Sequence, residues 1–159
     1  MENQITTDYF WGAFALPYIN LTGTTSYASG QAIDKEQQEL ERYITKYQKE
    51  YLTKLFGGEL IPDEVAHLVN DAYAKFSPIT NYVFCKVLPF YQSRATAAGE
   101  QIKTSEHSTN TNYQDRLFLI WNDMVRQNVA IREVLVNAGL DTDYPTDYND
   151  MIYKIQYYV

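Results

Sequence analysis

The chain reads as a mainly α protein, a helical bundle of about four helices with an extended N-terminal arm and a β-hairpin or long loop insertion. Three observations predict this. Leu40, Tyr43, Ile44, Tyr47, Tyr51 and Leu55 recur at helical spacing on one stripe, while Lys46, Lys49, Glu50 and Lys54 lie off it. A second stripe, Leu117, Ile120, Trp121, Met124, Asn128, Ile131 and Leu135, runs towards Gly139. Between them, Ser93 to Asn112 is small and polar, with one short alternating piece around Gly99 to Thr104. At 159 residues the chain is long enough for one domain with its own core.

Residues 1–31 are expected to form an arm outside the helical core. Asp8 to Leu21 is aromatic, broken by Gly12 and stopped by Pro17. As an extended segment it places Phe10, Phe14 and Leu16 on one face, with Tyr9 and Trp11 on the other. Thr22 to Gln31 has loop composition.

Residues 32–92 carry the first three helices. Asp34 or a near neighbour starts the first helix, and Asp34 with Gln37 resembles a capping box. Gly57 ends this helix because glycine accepts the left-handed conformation, and Gly58 frees the next turn. Pro62, Asp63 and Glu64 open a second helix, with Val65, Leu68, Val69, Ala72, Tyr73 and Phe76 as its apolar face. Ser77 caps a third beginning at Pro78, with Ile79, Tyr82, Val83, Val87 and Tyr91 inward and a kink or end near Pro89. Residues 93–112 form the projecting loop or hairpin, 112–139 a long helix, and 140–159 an acidic then aromatic tail.

Composition narrows the function. A net charge of −7 without any Lys/Arg cluster argues against binding the phosphate backbone. One cysteine, Cys85, excludes an internal disulfide framework and a multi-cysteine zinc cage. No apolar run approaches the roughly 20 residues that span a bilayer, and the first residues lack the pattern of a signal peptide. An intracellular protein, or one assembled inside a cell, is expected. Fifteen tyrosines suit either an interface that is wet before assembly or a tyrosine-rich core with hydroxyls reaching out.

Catalytic patterns are weak. Asp63, His67 and Asp71 at i, i+4 and i+8 would stack along a continuous helix and could ligate a divalent metal. A solvated face with helix-start acids is the commoner meaning of such a set. Asp141, Asp143, Asp147 and Asp150 fail the calcium-loop pattern. Cys85 lies in an apolar helical run, and neither His67 nor His107 is tied to it by any local motif. Nucleophile elbow, glycine-rich phosphate loop and H-E-x-x-H are all missing. The expectation is a non-enzyme, with no cofactor and no metal.

Two stretches carry a resemblance. One is Tyr51-Leu52-Thr53-Lys54-Leu55-Phe56-Gly57-Gly58-Glu59-Leu60, preceded by Tyr9-Phe10-Trp11-Gly12 and Leu16-Pro17. The other runs from Ser77-Pro78-Ile79-Thr80-Asn81-Tyr82-Val83-Phe84 through Gly99-Glu100 to Trp121-Asn122-Asp123-Met124-Val125. In order and spacing these resemble the head–tail connector (adaptor or ring) proteins of tailed phages, particularly the crAss-like phages, over about residues 8 to 130. The chain departs from that family at Thr80, where alanine is common, and in the loop T-S-E-H-S-T-N-T, where lysines are common.

The resemblance implies a structural virion protein at the head–tail junction, assembled in the host cytoplasm. It implies a twelvefold ring of identical subunits, bound to the portal and to neighbouring tail or ring proteins, through which DNA passes without specific binding. No membrane is involved. Tyr9, Phe10, Trp11, Phe14, Ile102, Tyr144, Tyr148 and Tyr157 are the candidate interface residues. On this reading the arm lies on a neighbour's sheet edge by strand addition. The alternatives are another tail or collar virion protein and a small metal-dependent enzyme using Asp63, His67 and Asp71.

Overall fold

The computed structural model describes residues 3–16, 30–96, 99–102 and 113–140. It is mainly α, with four helices packed together: α1 (Gly30–Phe56), α2 (Ala66–Val69), α3 (Pro78–Gln92) and α4 (Tyr113–Asn137). Three boundaries have a visible cause. Gly57 ends α1 at φ +73°, its N–H reaching back to the Thr53 carbonyl (2.8 Å). Ser77 Oγ accepts the Ile79 N–H (3.1 Å) and donates to the Val69 carbonyl (2.7 Å), so one hydroxyl starts α3 and ties it to the end of α2. At the end of α4, Gly139 sits at φ +71° and the Leu140 N–H reaches the Leu135 carbonyl (2.9 Å), a Schellman closure.

The helical stripes meet in one core. Leu40, Ile44, Tyr51 and Leu55 of α1 pack with Ile79, Tyr82, Val83 and Val87 of α3, and with Ile120, Trp121, Met124, Ile131 and Leu135 of α4. Full burial of such a side chain contributes about 1.5–3 kcal/mol. Tyr82 lies between Tyr51 (5.5 Å between ring centroids) and Trp121 (6.0 Å) at the centre of this core. For Tyr9, Tyr51 and Tyr82 the tyrosine question resolves towards the core. All three are buried, and their hydroxyls donate to Asn70, Asn128 and Glu50 respectively.

Four expectations need correction. Residues 3–16 are neither extended nor outside the core. They form two 3-10 turns, Thr7–Tyr9 and Gly12–Phe14, and bury Ile5, Tyr9, Phe10 and Leu16 in the bundle. Long-range bonds hold them there: the Gln4 N–H donates to Gln48 Oε1 (2.7 Å), and Asn70 Nδ2 donates to the Gln4 carbonyl (2.7 Å). The Arg116 guanidinium donates to the carbonyls of Ala13 and Ala15 and lies over the Phe84 ring. Second, α1 begins at Gly30, so Asp34 lies inside it rather than capping it.

Third, the expected second helix is a 3-10 turn, Asp63–Val65, followed by the single turn of α2. Asn70 leaves helical geometry, and its side chain goes to Gln4 and Tyr9. Fourth, of the kink or end expected near Pro89, the end lies three residues further on: α3 loses the bond that an N–H at Pro89 would make, yet continues to Gln92.

After α3, β1 (Ser93–Thr96) pairs antiparallel with β2 (Gly99–Ile102), with Ser93 opposite Ile102 and Thr96 opposite Gly99. Among the described residues no helix is long and apolar enough to cross a membrane.

Candidate interaction surface

The clearest surface feature begins where α2 stops. Asp71 and Phe76 exchange backbone hydrogen bonds (2.9 and 3.1 Å) across a four-residue reversal. The Asp71 side chain accepts the N–H groups of Tyr73 (3.0 Å) and Ala74 (2.9 Å), fixing the first half of the turn. Lys75 closes it at φ +53°, a conformation that costs a side-chain-bearing residue about 1–2 kcal/mol. The turn holds Tyr73 wholly in solvent, 100 % exposed, with Phe76 beside its base 43 % exposed.

Electrostatics brace the turn against the N-terminal segment. Lys75 Nζ pairs with Asp8 Oδ2 (2.8 Å) and stands 5.0 Å from the centre of the Tyr9 ring. The Lys75 hydrogen bond, seconded by Thr6, holds the Asp8 carboxyl below its ordinary range; Asp8 in turn raises Lys75. Trp11, two residues beyond Tyr9 and 61 % exposed, is the third large exposed aromatic on these two joined segments. The sequence pattern missed Tyr73 and Phe76 because both fit the helical period of the residues before them. The usable signal was Asn70-Asp71 followed by Ser77-Pro78: a side chain able to make its own turn, then a new helix start.

The predicted interface residues fare unequally. Tyr9 and Phe10 are buried within the subunit, Phe14 packs edge-on against Phe84 (5.7 Å), and Trp11 remains exposed. Ile102 ends β2. Tyr144, Tyr148 and Tyr157 lie outside the described residues, as do residues 17–29 and 103–112 of the predicted arm and loop.

Elsewhere, apolar side chains come to the surface on α3, at Phe90, and on α4, at Leu119, Val129 and Val136. Val129 and Val136 line a groove of about 390 Å³ with Arg132, Glu133 and Asn137. A second groove, of about 620 Å³, separates Asn3–Thr7 from α1 and is bordered by Gln38, Glu41, Arg42 and Thr45.

The chemical candidates do not come together. Helical geometry ends at Val69, so Asp63, His67 and Asp71 do not share one continuous helix face, and Asp71 Oδ1 accepts two N–H groups of the turn. Among the described residues no three His, Cys, Asp or Glu side chains cluster as metal ligands. Cys85 Sγ faces the Leu117 carbonyl (3.7 Å) across the α3–α4 contact. Glu50, between α1 and α3, meets the Tyr82 hydroxyl (2.6 Å) and Lys86 Nζ (3.3 Å). Burial pushes the Glu50 carboxyl up, but these two partners outweigh it and hold it below its ordinary value.

Comparison with family models, curated proteins and solved structures finds no match to this chain.

Proposed function

We propose that the chain is a structural virion protein, a subunit of the head–tail connector ring that joins a portal to a tail and lets DNA pass. The reading rests on the resemblance carried by Tyr51 to Leu60 and by Ser77 to Val125. Its physical support is one observation: large apolar side chains are exposed on unlike elements, Tyr73 and Phe76 on the turn after α2, and Leu119 and Val136 on α4. A closed ring of identical subunits needs such unlike patches, because each copy meets its two neighbours through different surfaces. An acidic chain suits a passage for DNA, since it denies phosphates a place to bind.

With Tyr9 and Phe10 consumed by the subunit's own core, neither is offered to a neighbouring subunit. The test is quantitative mass spectrometry of gradient-purified virus particles. Co-migration with full heads, at the copy number of the portal subunit, is the expected result. Absence from particles would overturn the reading.

A further inference from the structure

We infer that the groove on the last turns of α4 is the docking site of the chain's own C-terminal segment, residues 151–159. The inference goes beyond the ring reading and does not depend on it. Val129 and Val136 are both exposed and stand two turns apart on one side of α4. Arg132, Glu133 and Asn137 complete a groove of about 390 Å³ around them. Residues 151–159 read M-I-Y-K-I-Q-Y-Y-V, seven of nine apolar or aromatic, so leaving them in water is unfavourable. At a period of two, Tyr153, Ile155 and Tyr157 share a face; at helical spacing, Met151, Ile155 and Tyr158 do. Ile155 belongs to the apolar face in both cases and is the anchor.

The tether decides between occupants. Leu140 packs against the core, and its N–H bonds the Leu135 carbonyl (2.9 Å), so the tail sets out from a fixed point. Ten residues, 141–150, separate that point from Met151. From Asn137 back to Val129 is about 12 Å along the axis of α4, and a helix is about 10–12 Å across. A ten-residue coil spans about 16–19 Å r.m.s.. Reach therefore matches span, the condition for the highest effective concentration, on the order of 1 mM. A second copy, or any other protein, would have to be present at that concentration to compete with equal intrinsic affinity.

Charge agrees with this choice. The tether carries Asp141, Asp143, Asp147 and Asp150, and Lys154 follows within the segment. The groove presents both signs, Arg132 beside Glu133, so the acidic tether and Lys154 each meet an opposite charge. With Val136 covered in this way, Tyr73, Phe76 and Leu119 remain as the outward apolar patches of a ring subunit.

The experiment is native-state trypsin digestion of the full chain, read by mass spectrometry as the initial rate of cleavage after Lys154. No other Lys or Arg follows Arg132, so this cut reports on the tail alone. Cleavage of a docked segment waits on its opening, and its rate follows the open fraction. Relative to a synthetic peptide of residues 147–159, the cut is expected to be slowed about tenfold or more. Val136→Gln and, separately, Val129→Gln are expected to raise the slowed rate about threefold or more. Glutamine favours a helix more than valine does and both positions are exposed, so α4 stays formed, which a thermal melt checks. Leu119→Gln, on the same helix but outside the groove, is expected to leave the slowed rate unchanged.

A tail cut as fast as the free peptide would overturn the inference. So would slowed cleavage that Val129→Gln and Val136→Gln leave as it is, or that Leu119→Gln relieves equally, since the tail would then be seated elsewhere. Slowing that fades on dilution would assign the groove to the tail of a second copy, and would equally overturn it.

Discussion

The Tyr51 hydroxyl donates to Asn128 Oδ1 in the interior of the bundle, joining α1 to α4 where both residues are buried. The two lie 77 positions apart in the chain, so the bond exists only once the helices are packed. A buried amide opposite a buried phenol discriminates one helix register from its neighbours, because a slipped register leaves both polar groups in an apolar environment. Tyr51→Phe keeps the ring against Tyr82 and removes only this donor. The expected cost is about 1–3 kcal/mol, measured as a lowered urea midpoint at unchanged slope. A midpoint within error of the parent would show that the bond adds nothing to stability.

Phe10 separates an arm from a core element most directly. It is buried in the bundle, so Phe10→Ala is expected to destabilise the chain by about 3–5 kcal/mol. Were residues 1–31 a free arm, the same substitution would leave the thermal midpoint of the isolated chain unchanged.

Arg116 holds the far end of the same segment. Burial lowers its tendency to stay protonated without making it neutral, and the guanidinium meets the Ala13 and Ala15 carbonyls as well as Phe84. Arg116→Ala removes charge-assisted hydrogen bonds worth about 1.5–3 kcal/mol each in buried settings, and less at this half-exposed one. The diagnostic is local: amide hydrogen exchange at residues 13–16 is expected to accelerate while the centre of α3 stays protected. Unchanged exchange there would remove the clasp from the account.

The Lys75–Asp8 bridge gives the turn a pH signature at both ends of the scale. Asp8 titrates below its ordinary 3.8 in the folded state. Its contribution is therefore complete above that value and disappears as pH falls through the lower folded value. Lys75 titrates above its ordinary 10.5, so its contribution is complete below that pH and disappears as pH rises through the raised value. Exchange-corrected protection of the Asp71–Phe76 amides is expected to stay flat between those limits and to fall outside them. The change is modest because both groups are largely solvated. In Asp8→Asn the acid-side fall is expected to vanish; its persistence would place the cause elsewhere.

Most of the helical framework is legible along the chain. The stripes of α1, α3 and α4, the stops at Gly57 and Gly139, and the Ser77 cap all rest on interactions within a few residues, which a linear pattern records. The candidate surface was legible only in part. Trp11 stands out in the sequence and is exposed, but Tyr73 and Phe76 continue the apolar period of a helix that ends before reaching them. An apolar period cannot show that Asp71 will spend its carboxylate on a turn.

By itself, then, the amino-acid order determines where the three long helices run and which of their faces are apolar, since those signals are local and repeated. Tertiary structure decides two things. Tyr9 goes inward because its hydroxyl finds Asn70, 61 residues away, and because Ile5, Phe10 and Leu16 complete the same core. Tyr73 stays outward because Asn70 is drawn from the helix to serve Gln4 and Tyr9, and the chain must turn immediately after it. Both outcomes depend on contacts between distant segments, and no short-range pattern contains them.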